Sequence, residues 1–218
     1  MQRIQREAQQ RASLPVIVMC ALLLGGAGCA STEQALMPTQ EHTEAPLLTL
    51  VWIGTGKTER LDDGVWVRAP EFDYEFSVEQ RRYADRWESI KSLRRRHPRY
   101  DGSAGPREQH MYFAVRYDAP DATGRVNAAI QSSLGSGQGF TDREFREATI
   151  TLSPEVSVMA PFDTYRITQR YGYEAGELHE VVELIDHVDG EERPWVRNLE
   201  DALLFGPQPL AAPPTIHP

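Results

Sequence analysis

From Glu71 to Val78 the chain alternates without interruption: Phe72, Tyr74, Phe76 and Val78 fall on one side, Glu71, Asp73 and Glu75 on the other. A period of two marks a strand with one face buried, because successive side chains leave a strand on opposite faces. The same period runs through Val126, Ala128, Ile130 and Leu134, and through Tyr165, Ile167, Tyr171 and Tyr173. Leu47–Ile53 is apolar and β-branched, and His110–Tyr117 also reads as a strand. Asp62-Asp63-Gly64 supplies the turn chemistry of a hairpin leading into Val65–Val67.

Other stretches speak for helix. Ser77 and Gln80 form a capping box, in which side chains satisfy the free N–H groups of a helix start. Tyr83, Trp87, Ile90 and Leu93 then make an apolar stripe, and Pro98 stops it, so a helix is predicted over about 78–96. Gly135–Gly139 reads as a loop. Thr141 and Glu144 form a second capping box, with Phe140 and Phe145 as its hydrophobic staple, opening a short helix. The six apolar residues of Leu178–Val188 fit one helical arc, yet no good cap precedes them and Glu174-Ala175-Gly176-Glu177 looks like a hairpin loop, so helix and strand both stand there. Pro194–Asn198 is a candidate strand and Leu199–Phe205 a closing helical turn. The expected fold class is α+β: one domain rich in antiparallel β-sheet, with one main amphipathic helix and one or two short ones.

The N-terminus sets the compartment. Arg3, Arg6 and Arg11 precede an eleven-residue apolar run, Leu14–Leu24, and then Gly26, Ala27, Gly28 and Cys29. A basic start, a short apolar run and small residues make an export signal. The run falls short of the ~20 residues that a membrane-spanning helix needs. The stretch resembles the lipobox of bacterial lipoproteins, although Gly26 stands where that family usually has Leu. The resemblance covers residues 1–30 alone. It implies cleavage before Cys29, lipidation of that residue, and stable anchoring by two or three acyl chains. Ala30, where an Asp would retain such a protein in the inner membrane, implies the inner leaflet of the outer membrane, facing the periplasm. Ordinary secretion after Ala30 is the alternative. The expected layout is a signal peptide (1–28), a lipidated cysteine and tether (29–46), one globular domain (47–205) and a Pro-rich tail (206–218).

Both cysteines, Cys20 and Cys29, lie in the leader. The rest of the chain therefore offers no disulfide, no thiolate nucleophile and no cysteine-ligated metal. The formal net charge is −9, and residues 1–28 hold three Arg and one Glu, leaving −11 for the remainder. That balance argues against a nucleic-acid partner. Gly54-Thr55-Gly56-Lys57-Thr58 imitates a phosphate loop, but Val51 stands where its first glycine belongs, so no nucleotide is expected. Neither Ser103 nor Ser136 completes a G-x-S-x-G elbow. His179, Glu183 and Asp186 would converge on a metal only from a helix; they are weak candidates, and no metal or other cofactor is expected.

Residues 81–99 hold eight basic residues against two acids, whereas residues 174–192 hold eight acids and no Lys or Arg. The two segments could face each other, with Arg94, Arg95, Arg96 and Arg99 complementing a helix dipole. Alternatively, those arginines meet anionic headgroups or an acidic envelope partner. The functional expectation is a non-catalytic binding or assembly accessory of the cell envelope, held to the membrane by its N-terminal lipid. The alternatives are an envelope hydrolase acting on glycan or lipid, and a lipid carrier with an apolar cavity behind aromatic strands such as Phe72, Tyr74 and Phe76.

Overall fold

The computed structural model describes residues 45–154 and 162–206. They form eleven strands: β1 (Leu48–Asp62), β2 (Val65–Arg68), β3 (Tyr74–Arg82), β4 (Arg86–Arg94), β5 (Glu108–Tyr117), β6 (Arg125–Ser132), β7 (Gly135–Asp142), β8 (Glu147–Pro154), β9 (Thr164–Gly172), β10 (Glu177–Val188) and β11 (Glu191–Leu204). From β3 onward each strand pairs antiparallel with the next, β1 pairs with β3, and β11 returns to pair with β1. Ten strands thus close into an up-and-down barrel, which leaves no free sheet edge. The short β2 folds back on the far end of β1 as a hairpin.

This corrects the α+β expectation. The segment predicted as a helix over 78–96 is the second half of β3, a tight turn at residues 83–85, and β4. Ser77 caps nothing; it sits mid-strand opposite Ser92. The apparent helical stripe is split, since Trp87 and Leu93 point inward while Ile90 points out and is 47% exposed. The inward row of β4 is Trp87, Ser89, Lys91 and Leu93, so two buried polar residues interrupt its apolar period. The second capping box is the end of β7 and its turn into β8, where Phe145 takes a positive φ of 55°. Leu178–Val188 is strand β10, and the closing helical turn is the end of β11. The predicted Gly135–Gly139 loop is strand β7, where β8 approaches so closely that a Cβ at Gly137 would meet the Thr151 carbonyl oxygen at 2.0 Å. A register shift between Leu184 and Ile185 falls opposite Pro194, which has no N–H to give the ladder.

Apolar side chains point into the barrel, and its outer wall carries charge. Several outward pairs are cross-strand neighbours: Arg94–Glu108 at 3.0 Å, Arg170–Glu147 at 3.1 Å and Arg197–Glu59 at 2.7 Å. A lipid-facing barrel shows the reverse, an apolar band outside and polar residues within. This wall carries ion pairs, with Ile53, Ile90, Phe140 and Leu203 exposed among them.

At one end the interior is solid. Trp87, Tyr117, Phe145, Tyr171 and Tyr173 fill it, with Tyr171 and Tyr173 stacked 5.4 Å apart. The Arg82 guanidinium lies within 5.7 Å of four of these rings and donates to the Tyr173 hydroxyl at 2.8 Å.

Candidate functional site

At mid-height, polar side chains from six strands cross the barrel in one chain of hydrogen bonds. Trp52 Nε1 donates to Gln80 Oε1 (3.1 Å), Gln80 Nε2 to the Tyr171 hydroxyl (2.9 Å), and that hydroxyl to Gln169 Oε1 (3.1 Å). Gln169 Nε2 donates to Glu180 Oε2 (2.6 Å). Lys91 Nζ reaches across from β4 to Glu180 Oε1 (2.6 Å) and to both oxygens of Glu200, 2.7 Å from Oε1. Tyr74 Oη closes the chain by donating to Glu200 Oε1. Gly56 makes room for this last contact, because a Cβ there would stand 2.4 Å from the Tyr74 ring. Gly54 and Gly56 therefore serve packing inside a strand, not phosphate binding.

Glu180 and Glu200 are register partners on β10 and β11. Two carboxylates placed directly opposite repel each other, and Lys91 bonds to both. Burial alone would favour neutral Lys91, but Glu180 and Glu200 reverse that and raise its pKa. Burial also opposes ionisation of Glu180, yet Lys91 and the Gln169 amide outweigh it and its carboxyl is lowered. Burial pushes Glu200 up, Lys91 pulls it back, and the charge on Glu180 pushes again, which places its carboxyl at about 7. Burial and Glu200 together hold the Tyr74 phenol well above its ordinary value. The network thus favours the charged forms of Lys91 and Glu180 and disfavours that of Glu200.

Above this floor, at the end opposite the Arg82 plug, lies a cavity of about 460 Å³. That is within the range of small-molecule sites, about 300–1,000 Å³. Leu93, Met111, Leu134, Tyr165, Leu184 and Trp195 give it an apolar wall. Its polar groups are Glu200 and Tyr74 at the floor, Thr58 and Asn198 joined at 2.8 Å on one side, and Arg60, Arg95, Ser103, Gln109 and Asp186. The β4–β5 loop closes over it, with Ser103 and Ala104 on its wall. That loop is tied by Tyr100 Oη to the Gly105 carbonyl at 2.6 Å, by Arg107 to the carbonyls of His97 and Tyr100, and by Tyr100 packing on Phe72.

The residues singled out from sequence are dispersed. His179 points outward and bonds Asp201 at 2.8 Å, Glu183 lies 3.7 Å from Arg166 on the wall, and Asp186 lines the cavity. They do not converge on a metal. The four arginines do not form one patch. Arg94 pairs with Glu108 and Arg96 with Glu75 at 2.7 Å, Arg99 is exposed in the loop, and Arg95 turns inward. Cys29 lies outside the described residues. Of the aromatic trio named for a lipid cavity, Phe72 and Tyr74 line it, whereas Phe76 is packed in the solid core. Lys91, Glu180, Glu200 and Gln80 escaped sequence reasoning; the available signal was a polar residue in phase with buried neighbours on a strand.

Fold and site define a class: a closed antiparallel barrel with a polar outer wall and an internal apolar cavity. Comparison with protein-family models and with curated proteins finds no match for this chain.

Proposed function

We propose that this protein is a lipid-anchored, periplasm-facing accessory of the bacterial cell envelope that holds a small apolar or amphipathic molecule inside its barrel. The carrying observation is the internal cavity of about 460 Å³, walled by apolar side chains and floored by a hydrogen-bonded polar network. Preformed, mostly apolar hollows with a few convergent polar groups are how proteins bind such ligands. The short apolar leader ending at Cys29 supports the anchor. The geometry speaks for holding rather than converting: Glu180 and Glu200 are both bonded to Lys91 and to each other, so they do not stand apart across an open site as the acid–base pair of glycoside hydrolysis does.

The test is native mass spectrometry of the protein isolated from its own envelope in mild detergent. The reading expects a small lipophilic molecule that co-purifies and leaves on denaturation, and its loss in Leu184→Trp, which fills the cavity. A folded parent that carries no such molecule, and binds none from an envelope lipid extract, contradicts it. Cys29→Ala is expected to free the protein from membranes without altering the barrel; retention on membranes would remove the anchor.

A further inference from the structure

Among the described residues five buried side chains are charged: Arg82, Lys91, Arg95, Glu180 and Glu200. Three of them form one ionic cluster, and the two arginines have only neutral partners. Lys91 is shared by the two glutamates, and Arg82 is caged by rings and bonded to Tyr173. Arg95 is different. It is 9% exposed, lines the cavity, and has no carboxylate within ion-pairing distance among the described residues. Its Nη1 donates to two neutral oxygens, the Pro106 carbonyl at 3.0 Å and Gln109 Oε1 at 3.3 Å, and its Nε has no partner. The rings of Tyr74 and Tyr100 lie 5.8 and 5.2 Å from it.

A buried cation is stable only when something answers its charge. The count of buried side chains is three cations to two carboxylates, and burial disfavours the charge on one of those carboxylates, Glu200. A second guanidinium, Arg60, stands on the same cavity over the Phe72 ring at 4.2 Å. Two acids also touch the cavity. Glu200 is already engaged by Lys91 and Tyr74, and Asp186 is only half-buried, so water answers part of its charge. Arg82 also lacks a counter-charge among the described residues, but aromatic rings enclose it; Arg95 is the buried cation that has none and opens on the cavity.

We propose that the cavity takes a single-chain amphiphile with an anionic head, a carboxylate or a phosphate, seated on the Arg95 guanidinium. Its chain lies among Leu93, Met111, Leu134 and Leu184. This rests on the carrier reading above and names its ligand class. Guanidinium suits both heads because its planar fork matches their oxygens.

The experiment is calorimetric titration of the full-length protein with four probes of one chain length, each below its micelle concentration: dodecanoate, dodecyl phosphate, dodecanol and dodecyltrimethylammonium. Dodecanoate or dodecyl phosphate is expected to bind about tenfold or more tighter than the alcohol and the ammonium, and comparing the two anions separates the head chemistries. Arg95→Met is expected to erase that preference and Arg95→Lys to keep part of it. Arg94→Met, one residue away but facing outward, is expected to leave it unchanged. Equal binding of the alcohol or the ammonium overturns the assignment, as does a preference that survives in Arg95→Met. The four-probe comparison on the parent decides this even if a variant fails to fold. Binding of none of the four overturns the carrier reading itself, a result distinct from binding without head-group discrimination.

Discussion

Arg82 and Arg95 are both buried guanidiniums inside one barrel, one closing β3 and the other directly following β4, at opposite ends. Around Arg82 the chain supplies Trp87, Phe145, Tyr171 and Tyr173, and the end is filled. Around Arg95 it supplies two rings and two neutral acceptors, and then a cavity. The two ends share strands, curvature and outer wall. They differ in how far side chains of one chain can complete the packing. A barrel of about eight strands is just filled by its own side chains or holds one small ligand, and the interior widens with strand number. Ten strands leave more room, used here by aromatic bulk at one end and left open at the other. The Lys91 network at mid-height divides the two.

That contrast can be broken in measured steps. The largest effect is expected from Lys91→Ala, which leaves Glu180 and Glu200 facing each other without their shared cation. Breaking a buried ionic network costs about 3–5 kcal/mol, to be read from urea unfolding. Next, Trp87→Ala at the filled end should cost about 3–5 kcal/mol while ligand binding in the cavity is kept. Leu184→Ala at the open end, already beside a hollow, should cost only about 1 kcal/mol. Equal losses at the two ends would erase the distinction.

A third step concerns protons. The folded-state carboxyl of Glu200 is pushed up to about 7 from the ordinary 4.5, by burial against Lys91's opposition and with Glu180's help. The native state therefore keeps a proton that the unfolded chain releases. The stabilisation is full below 4.5 and is lost as pH rises through about 7. The shift corresponds to about 3 kcal/mol between those limits. Glu200→Gln should flatten that part of the stability-against-pH curve, and an unchanged slope would assign the titration elsewhere. The smallest effect belongs to the outer wall. Arg94→Gln removes an exposed pair with Glu108 and should change stability by under about 1 kcal/mol.

Much of the wall was legible in the residues. Strict alternation at Tyr74–Val78, Val126–Ile130 and Tyr165–Ile167 reports strands because their inward residues are apolar throughout, whereas Glu71 and Phe72, read as part of the first of these, belong to a 3-10 turn at Pro70–Phe72. Where the interior turns polar, the same signal fails. Ser89 and Lys91 broke the period of β4 and left Trp87 and Leu93 looking like a helical stripe, and Glu180 did the same to β10. Glycines misled for a related reason: Gly137 and Gly139 serve close packing inside β7, yet the run Gly135–Gly139 read as a loop. Closure of the barrel was out of reach, since it pairs Trp52 with Leu204 across most of the chain. The site shared that fate. Phe72 and Tyr74 could be named as cavity residues, but the meeting of Lys91 with Glu180 and Glu200 exists only once distant strands are side by side.

The most direct test of a barrel open at one end and solid at the other is a methyl-resolved NMR titration of the protein with dodecanoate. Shifts confined to Leu93, Met111, Leu134 and Leu184, with Val126 at the plugged end unmoved, are the predicted result. Shifts centred on Val126, or on the outward Ile53 and Leu203 with the cavity methyls silent, would contradict it.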